Sequence, residues 1–320
     1  MARRILVTGG AGFIGSHLVE ALVGRGDAAR ILDCFDPYYD PALKRRTAAG
    51  LCRLPGVELV EGDVRDPAAV ERALAGTDAV VHLAARPGVR ASLDDPRTTL
   101  DINLTGTLTL LEALRRHGPR ALVFASSSSV YGGDAPLPFR EDAPAARPLS
   151  PYAASKRAGE LLCATWAEQW GIGGLGLRFF TVYGPRGRPD MSIGRFLRAA
   201  FLGQAVPLYG DGSVERDFTY VEDIVRGVVA AVDRVRPGGG WEVSNIGGGR
   251  TATMRELIEL IERHAGRPLR IERHPPAAGD MARTWADLTR ARDLLGFESR
   301  VPLEEGVART AAWMRRELET

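Results

Sequence analysis

The segment TGGAGFIGSHLVEAL, which follows the apolar run RILV, constrains this chain more than any other. Gly9, Gly12 and Gly15 recur at three-residue intervals, and a helical apolar pattern begins immediately afterwards. A strand that turns this tightly into a helix, with backbone free to approach a pyrophosphate, needs residues without a Cβ. The diphosphate then sits at the positive end of the helix dipole, against Gly9, Gly12, Phe13, Ile14 and Gly15. Glycines also end strands for purely structural reasons, so the loop alone is a weak signal. Its context strengthens it. A second apolar run, ARILD, ends at Asp33, 18 residues after Gly15, where an acid accepts hydrogen bonds from an adenosine ribose. A carboxylate there repels a 2'-phosphate, which favours NAD over NADP. Asp63 and Val64, after a third run, are placed to meet the adenine, although both also suit an ordinary loop.

The runs RILV, VELVEG, DAVVHLAA and RALVFASS alternate with longer helical stretches such as GSHLVEALVGRG and TLDINLTGTLTLLEALRRHG. That alternation predicts an α/β fold, a doubly wound parallel sheet of the Rossmann type with helices on both faces. A chain of 320 residues exceeds the size at which a single core stops growing, so two lobes are expected. The texture changes after GGLGLRFF to Gly, Pro and Arg punctuation. We assign residues 1–178 to an NAD-binding domain, with a return over roughly 218–246, and residues 179–320 to a smaller carboxyl-terminal substrate-binding lobe. Gly238–Gly240 and Gly247–Gly249 read as turns.

The 42 Lys and Arg against 40 Asp and Glu call for no nucleic-acid or anionic-membrane partner. Cys34, Cys52 and Cys163 are odd in number and lack C-x-x-C spacing, so neither a disulfide framework nor a metal site is expected. A reducing cytoplasm fits this usage. No run reaches the roughly 18 apolar residues of a membrane span, and the amino-terminal apolar run is too short for a signal peptide.

Tyr152 and Lys156 stand four residues apart in the helical segment PYAASKRAGELL, on one face. A tyrosine acting as a base near pH 7 needs its pKa lowered by roughly three units, about 4 kcal/mol. A lysine ammonium beside it and a positive nicotinamide ring both favour the phenolate. Lys44 and Lys156 are the only lysines, so this chain keeps Lys at a place where it uses Arg almost everywhere else. Upstream, FASSSSVYGG puts a hydroxyl cluster at the carboxyl edge of the sheet, where ligands of open α/β sheets bind. A protein that merely sensed or scaffolded NAD would not need the serine, tyrosine and lysine together. A net reductase would use NADPH, which Asp33 disfavours.

From VTGGAGFIGSHL through VVHLAA, NLTGTLTLLEA, SSSSVYG and YAASK to RDFTYVEDIVRG and ADLTRARDLLGF, the chain resembles the extended short-chain dehydrogenase/reductase family of sugar-nucleotide epimerases and dehydratases. The resemblance implies that Ser127, Tyr152 and Lys156 are the catalytic hydroxyl, base and lysine. It places Ala84 and Asn103 in segments lining the cofactor pocket. Dehydratases and decarboxylases of this family carry an acid after the catalytic hydroxyl, where this chain has Ser128 and Ser129, which leaves 4-epimerisation of a UDP-sugar with NAD. LRFFTVYGPRGRPDM and GVRASLDDP are similar to UDP-glucuronate 4-epimerases more than to the UDP-galactose type, although Arg86 and Ala91 replace a Gln and an aromatic common there. An epimerase of UDP-glucose or UDP-N-acetylglucosamine is the alternative. Ser127, Ser128 and Thr181 offer hydrogen bonds to a sugar carboxylate, and Arg90, Arg186 and Arg188 offer charge. Arg216 and Arg283 match positions that contact the diphosphate in relatives. The resemblance also implies a homodimer, through helices around residues 97–117 and 151–170.

Overall fold

The computed structural model describes residues 2–276 and 281–319. Seven parallel strands form its central sheet: β1 (Arg4–Thr8), β2 (Ala28–Asp33), β3 (Val57–Glu61), β4 (Ala79–His82), β5 (Ala121–Ser127), β6 (Gly173–Phe179) and β7 (Trp241–Ile246). Their spatial order is β7-β6-β5-β4-β1-β2-β3. The chain leaves β1 towards β2 and β3, then crosses back to β4. The order therefore reverses between β1 and β4, and a crevice opens at the carboxyl ends of those strands.

Burial on both faces explains the continuous apolar runs: Ile5, Leu6 and Val7 of β1 and Val80 and Val81 of β4 are wholly buried. The first helix, Phe13–Gly24, seats Leu18, Val19 and Leu22 on one face, in the core with Ile5, Val7 and Val81. Each side chain so buried stabilises the fold by about 1.5–3 kcal/mol relative to exposure.

After β6 the chain builds small paired elements. Thr181–Tyr183 pairs with Phe218–Tyr220, Ala205–Tyr209 with Arg270–His274, and Glu215–Arg216 with Ala252–Thr253. Between the members of the last two pairs the helix Val221–Arg234 and β7 rejoin the large sheet, where Trp241 to Ile246 pairs in register with Gly174 to Phe179. Gly174 and Gly176 of β6 admit the Trp241 ring, since a Cβ on either would lie within 2.9 Å of it.

Candidate active site

The glycine loop is built for close backbone approach. Gly9 has φ +69, and a Cβ on Gly15 would lie 2.3 Å from the Gly9 carbonyl oxygen. Gly12 caps the first helix without a side chain, so the first N–H groups of that helix face outward with no intrahelical acceptor. Asp33, buried at the end of β2, accepts from Ala11 N at 3.1 Å and Phe35 N at 2.9 Å. Burial raises its pKa, and those two bonds and Lys44 oppose the rise. Cradle, uncapped helix and acid together fit the diphosphate and ribose of a dinucleotide.

The other expected cofactor residues take more specific places. Asp63 reaches the same edge, but its carboxylate is held by Arg65 at 2.6 Å, which lowers its pKa. Val64 turns its side chain inward against Gly106, leaving only backbone for an adenine. Ala84 packs against Gly9 and donates its N–H to Thr8 Oγ1 at 3.2 Å. Asn103 lies in a π-helical turn, accepts from Arg86 N at 2.7 Å and donates to Ser155 Oγ at 2.9 Å. It props the pocket wall with an amide already committed to protein.

Behind that wall stands His82, which the sequence reading overlooked. Thr107 Oγ1 donates to the Asn103 carbonyl at 2.6 Å, so it must accept from His82 Nε2–H at 3.1 Å. His82 Nδ1 is then the acceptor for Thr8 Oγ1 at 2.7 Å. A neutral imidazole is required, and burial first, then Lys156, lowers its pKa to about 3. A lone polar residue inside DAVVHLAA was the available signal.

The helix that carries Tyr152 and Lys156 runs from Pro151 to Trp170. Ser150 caps it through Ala153 N at 3.1 Å, Pro151 opens it, and Gly171 at φ +65 ends it. Tyr152, one residue into the helix, faces Ser127 at the end of β5, where Ser127 also caps the short turn Ser128–Tyr131. Lys156 is buried, and its Nζ donates to the Ala125 carbonyl at 2.7 Å. Burial draws its pKa down to about 8.

Burial raises the Tyr152 phenol above its ordinary value, and the charge that opposes this belongs to Arg188, with the Ser127 hydroxyl adding to it. Lys156 is turned to the strand backbone instead. Arg188 pairs with Asp190 at 3.0 and 3.1 Å and lines one small cavity with Thr181.

The arginines expected near substrate divide. Arg186 adopts φ +60 and pairs with Glu20 at 2.6 Å and with His17 on the first helix. Arg90 lies over the Tyr209 ring at 4.0 Å. Arg283 reaches the short strand that carries Arg216, because Glu215 bridges to Arg283 both in backbone and through a 2.9 Å ion pair. Asp217, also missed, organises that corner. Wholly buried, it accepts from Gly248, Gly249 and Ala286 N–H groups at 2.6, 3.0 and 3.1 Å. Burial still raises its pKa to about 6.

Residues 5–247 match the NAD dependent epimerase/dehydratase family, and the chain belongs to that family. Among its relatives is the UDP-glucuronate 4-epimerase of Thermodesulfobacterium geofontis, 40% identical over 317 residues covering 98% of this chain and 97% of that protein. The Bacillus cereus UDP-glucuronic acid 4-epimerase, solved with UDP-glucuronic acid and NAD, superposes with a TM-score of 0.92 at 34% identity, covering 98% of this chain and 99% of its own. A Thermotoga maritima UDP-glucose 4-epimerase solved with UDP-glucose gives 0.89 at 32% identity, covering 98% and 99%.

Proposed function

We propose that this protein interconverts UDP-glucuronate and UDP-galacturonate by transient oxidation at carbon 4 of the sugar. The observation that carries the choice of sugar is the set of hydroxyls Ser127 at the end of β5, Ser128 in the turn that follows, and Thr181 two residues beyond the end of β6, with Arg188 beside Thr181 and no carboxylate among them. Such a set accepts a sugar carboxylate and offers no acid for eliminating water. The relatives named for UDP-glucuronate support the same reading.

NAD, when bound, would supply the hydride acceptor for carbon 4 and, in its reduced form, the donor for the opposite face once the keto sugar has turned over. Tyr152 takes the proton of the 4-hydroxyl while Ser127 hydrogen-bonds the same oxygen. Arg188 favours the phenolate, and Lys156 fixes the catalytic helix on β5. Asp33 and the glycine loop hold the dinucleotide, and Arg216 and Arg283 face the UDP diphosphate. Tyr152→Phe removes the proton acceptor but keeps the ring, so turnover falls at least about a hundredfold with the fold intact. A near-normal rate in that variant means another group is the base.

Residues 1–178 with roughly 218–246 form the NAD-binding unit and 179–320 the substrate lobe, a division supported by the pairing of β7 with β6. The enzyme acts as a homodimer in a reducing cytoplasm, supported by leucines exposed on the helices at residues 96–117 and 151–170 and by exposed free thiols at Cys34 and Cys52.

The deciding experiment offers UDP-glucuronate, UDP-glucose and UDP-N-acetylglucosamine separately and resolves the products chromatographically. UDP-galacturonate is the expected product. Turnover of UDP-glucose alone transfers the assignment to a UDP-glucose 4-epimerase.

A further inference from the structure

The cofactor cleft carries a tie that the chemistry at carbon 4 does not require. Tyr38 belongs to the loop leaving β2, yet its hydroxyl lies 2.8 Å from where Gly88 would carry a Cβ, and Gly88 belongs to the loop leaving β4. Strands β2 and β4 flank β1 on opposite sides, so Tyr38 spans the carboxyl end of β1, where the glycine loop begins. Its hydroxyl donates to Asp190 Oδ2 at 3.2 Å. Burial, with Asp190 adding to it, raises the Tyr38 pKa, so the phenol stays a donor at neutral pH.

Both ends of this tie are anchored. Lys44, buried and one of only two lysines, donates to the Asp36 carbonyl at 2.8 Å and stands over the Tyr39 ring at 4.5 Å. On the far side Arg188 grips Asp190, and the Asp190 loop rests on the first helix, where Gly187 approaches Phe13. Arg86 packs its guanidinium 5.4 Å from the Tyr38 ring centroid.

We propose that Tyr38 and Asp190 form a latch across the cofactor cleft that retains NAD between turnovers. A dinucleotide whose diphosphate rests on the start of the first helix and whose ribose meets Asp33 lies under the loop that Tyr38 fastens. An enzyme that returns the hydride every cycle reuses one cofactor, so slow release serves it. The latch acts on NAD whichever sugar is bound, and its test uses none.

Wild type, Tyr38→Phe, Asp190→Ala and the double variant are loaded with labelled NAD. Release into excess unlabelled NAD is then timed without sugar nucleotide. Loss of the single hydrogen bond accelerates release about three- to tenfold in Tyr38→Phe. In the Asp190→Ala background the same substitution adds nothing. Release from Tyr38→Phe at the wild-type rate overturns the latch, as does simple multiplication of the two effects in the double variant. If Asp190→Ala does not fold, the Tyr38→Phe rate alone decides.

Discussion

Lys156 carries its charge where charge is expensive. Its pKa is drawn from 10.5 to about 8 by burial, so between those values the folded chain binds fewer protons than the unfolded one. Stability therefore rises with pH across that window, and below it the buried ammonium costs the fold on the order of 3 kcal/mol. Lys156→Met keeps the stem and removes the titration. Wild type should thus gain stability relative to Lys156→Met between pH 7.5 and pH 10, read as the gap between their urea midpoints. A gap that stays constant with pH would show an ammonium already well solvated. Thr181 poses the converse question, because a 4-keto glucuronate is a β-keto acid that loses carbon dioxide when its carboxylate stands perpendicular to the ketone. If Thr181 grips that carboxylate as proposed, Thr181→Val removes one charge-assisted hydrogen bond, worth roughly 1.5–3 kcal/mol. It should slow UDP-glucuronate turnover and release a pentose product while sparing UDP-glucose. No pentose and equal impairment of both sugars would make Thr181 a packing residue. Spacing within one helix made Tyr152 and Lys156 readable as a pair from sequence. Nothing local could reveal that Lys156 turns to Ala125 or that Arg188 stands near Tyr152, because loops fold those groups together from distant segments.

At the scale of elements, the catalytic helix is clipped to β5 in three successive ways. Lys156 holds the Ala125 carbonyl, Glu160 accepts from Ser126 Oγ at 2.5 Å, and Gly159 lets the Phe124 ring approach. Glu160 also takes both arms of buried Arg178 from β6 at 2.9 Å, which compensates two desolvated charges with one fork-shaped pair. A Cβ on Gly159 would lie 2.5 Å from Phe124 Cζ, so Gly159→Ala must push the ring or the helix. That overpacking should lower stability by about 1–3 kcal/mol and reduce turnover, since the helix carries Tyr152 away from Ser127. Phe124→Leu in the same chain should restore much of both losses, measured by urea unfolding and initial rates. If Gly159→Ala matches wild type in both, the close fit is not what sets the helix. Apolar runs of β1, β2, β4, β5 and β6 were legible because strands buried on both faces need them, whereas β3 sits at the sheet edge with Leu59 exposed. The place of β7 beside β6 rests on Trp241 filling the space left by two glycines, a long-range fit that no periodicity encodes. Asp217 was hidden for a similar reason: its partners are backbone N–H groups about 31 and 69 residues away.

For the whole molecule the open question is what covers the catalytic helix on its outer side. Leu161 is 53% exposed there, and Leu100 and Leu108 on the neighbouring helices are each 36% exposed. A twofold pairing of these helices would bury the leucines against their own copies, since a closed dimer presents one patch to itself. A stable interface of this kind removes about 800 Å² from each partner. Because the same helix carries Tyr152 and Lys156 on its inner face, pairing would also stiffen the site. Leu161→Glu sets two carboxylates against each other across the axis and leaves the inner face untouched. The wild type should scatter light as a dimer at micromolar concentration and unfold at a midpoint that rises with protein concentration. Leu161→Glu should scatter as a monomer with a concentration-independent midpoint. A monomeric wild type would remove the dimer altogether, and a dimeric Leu161→Glu would move the interface to another face.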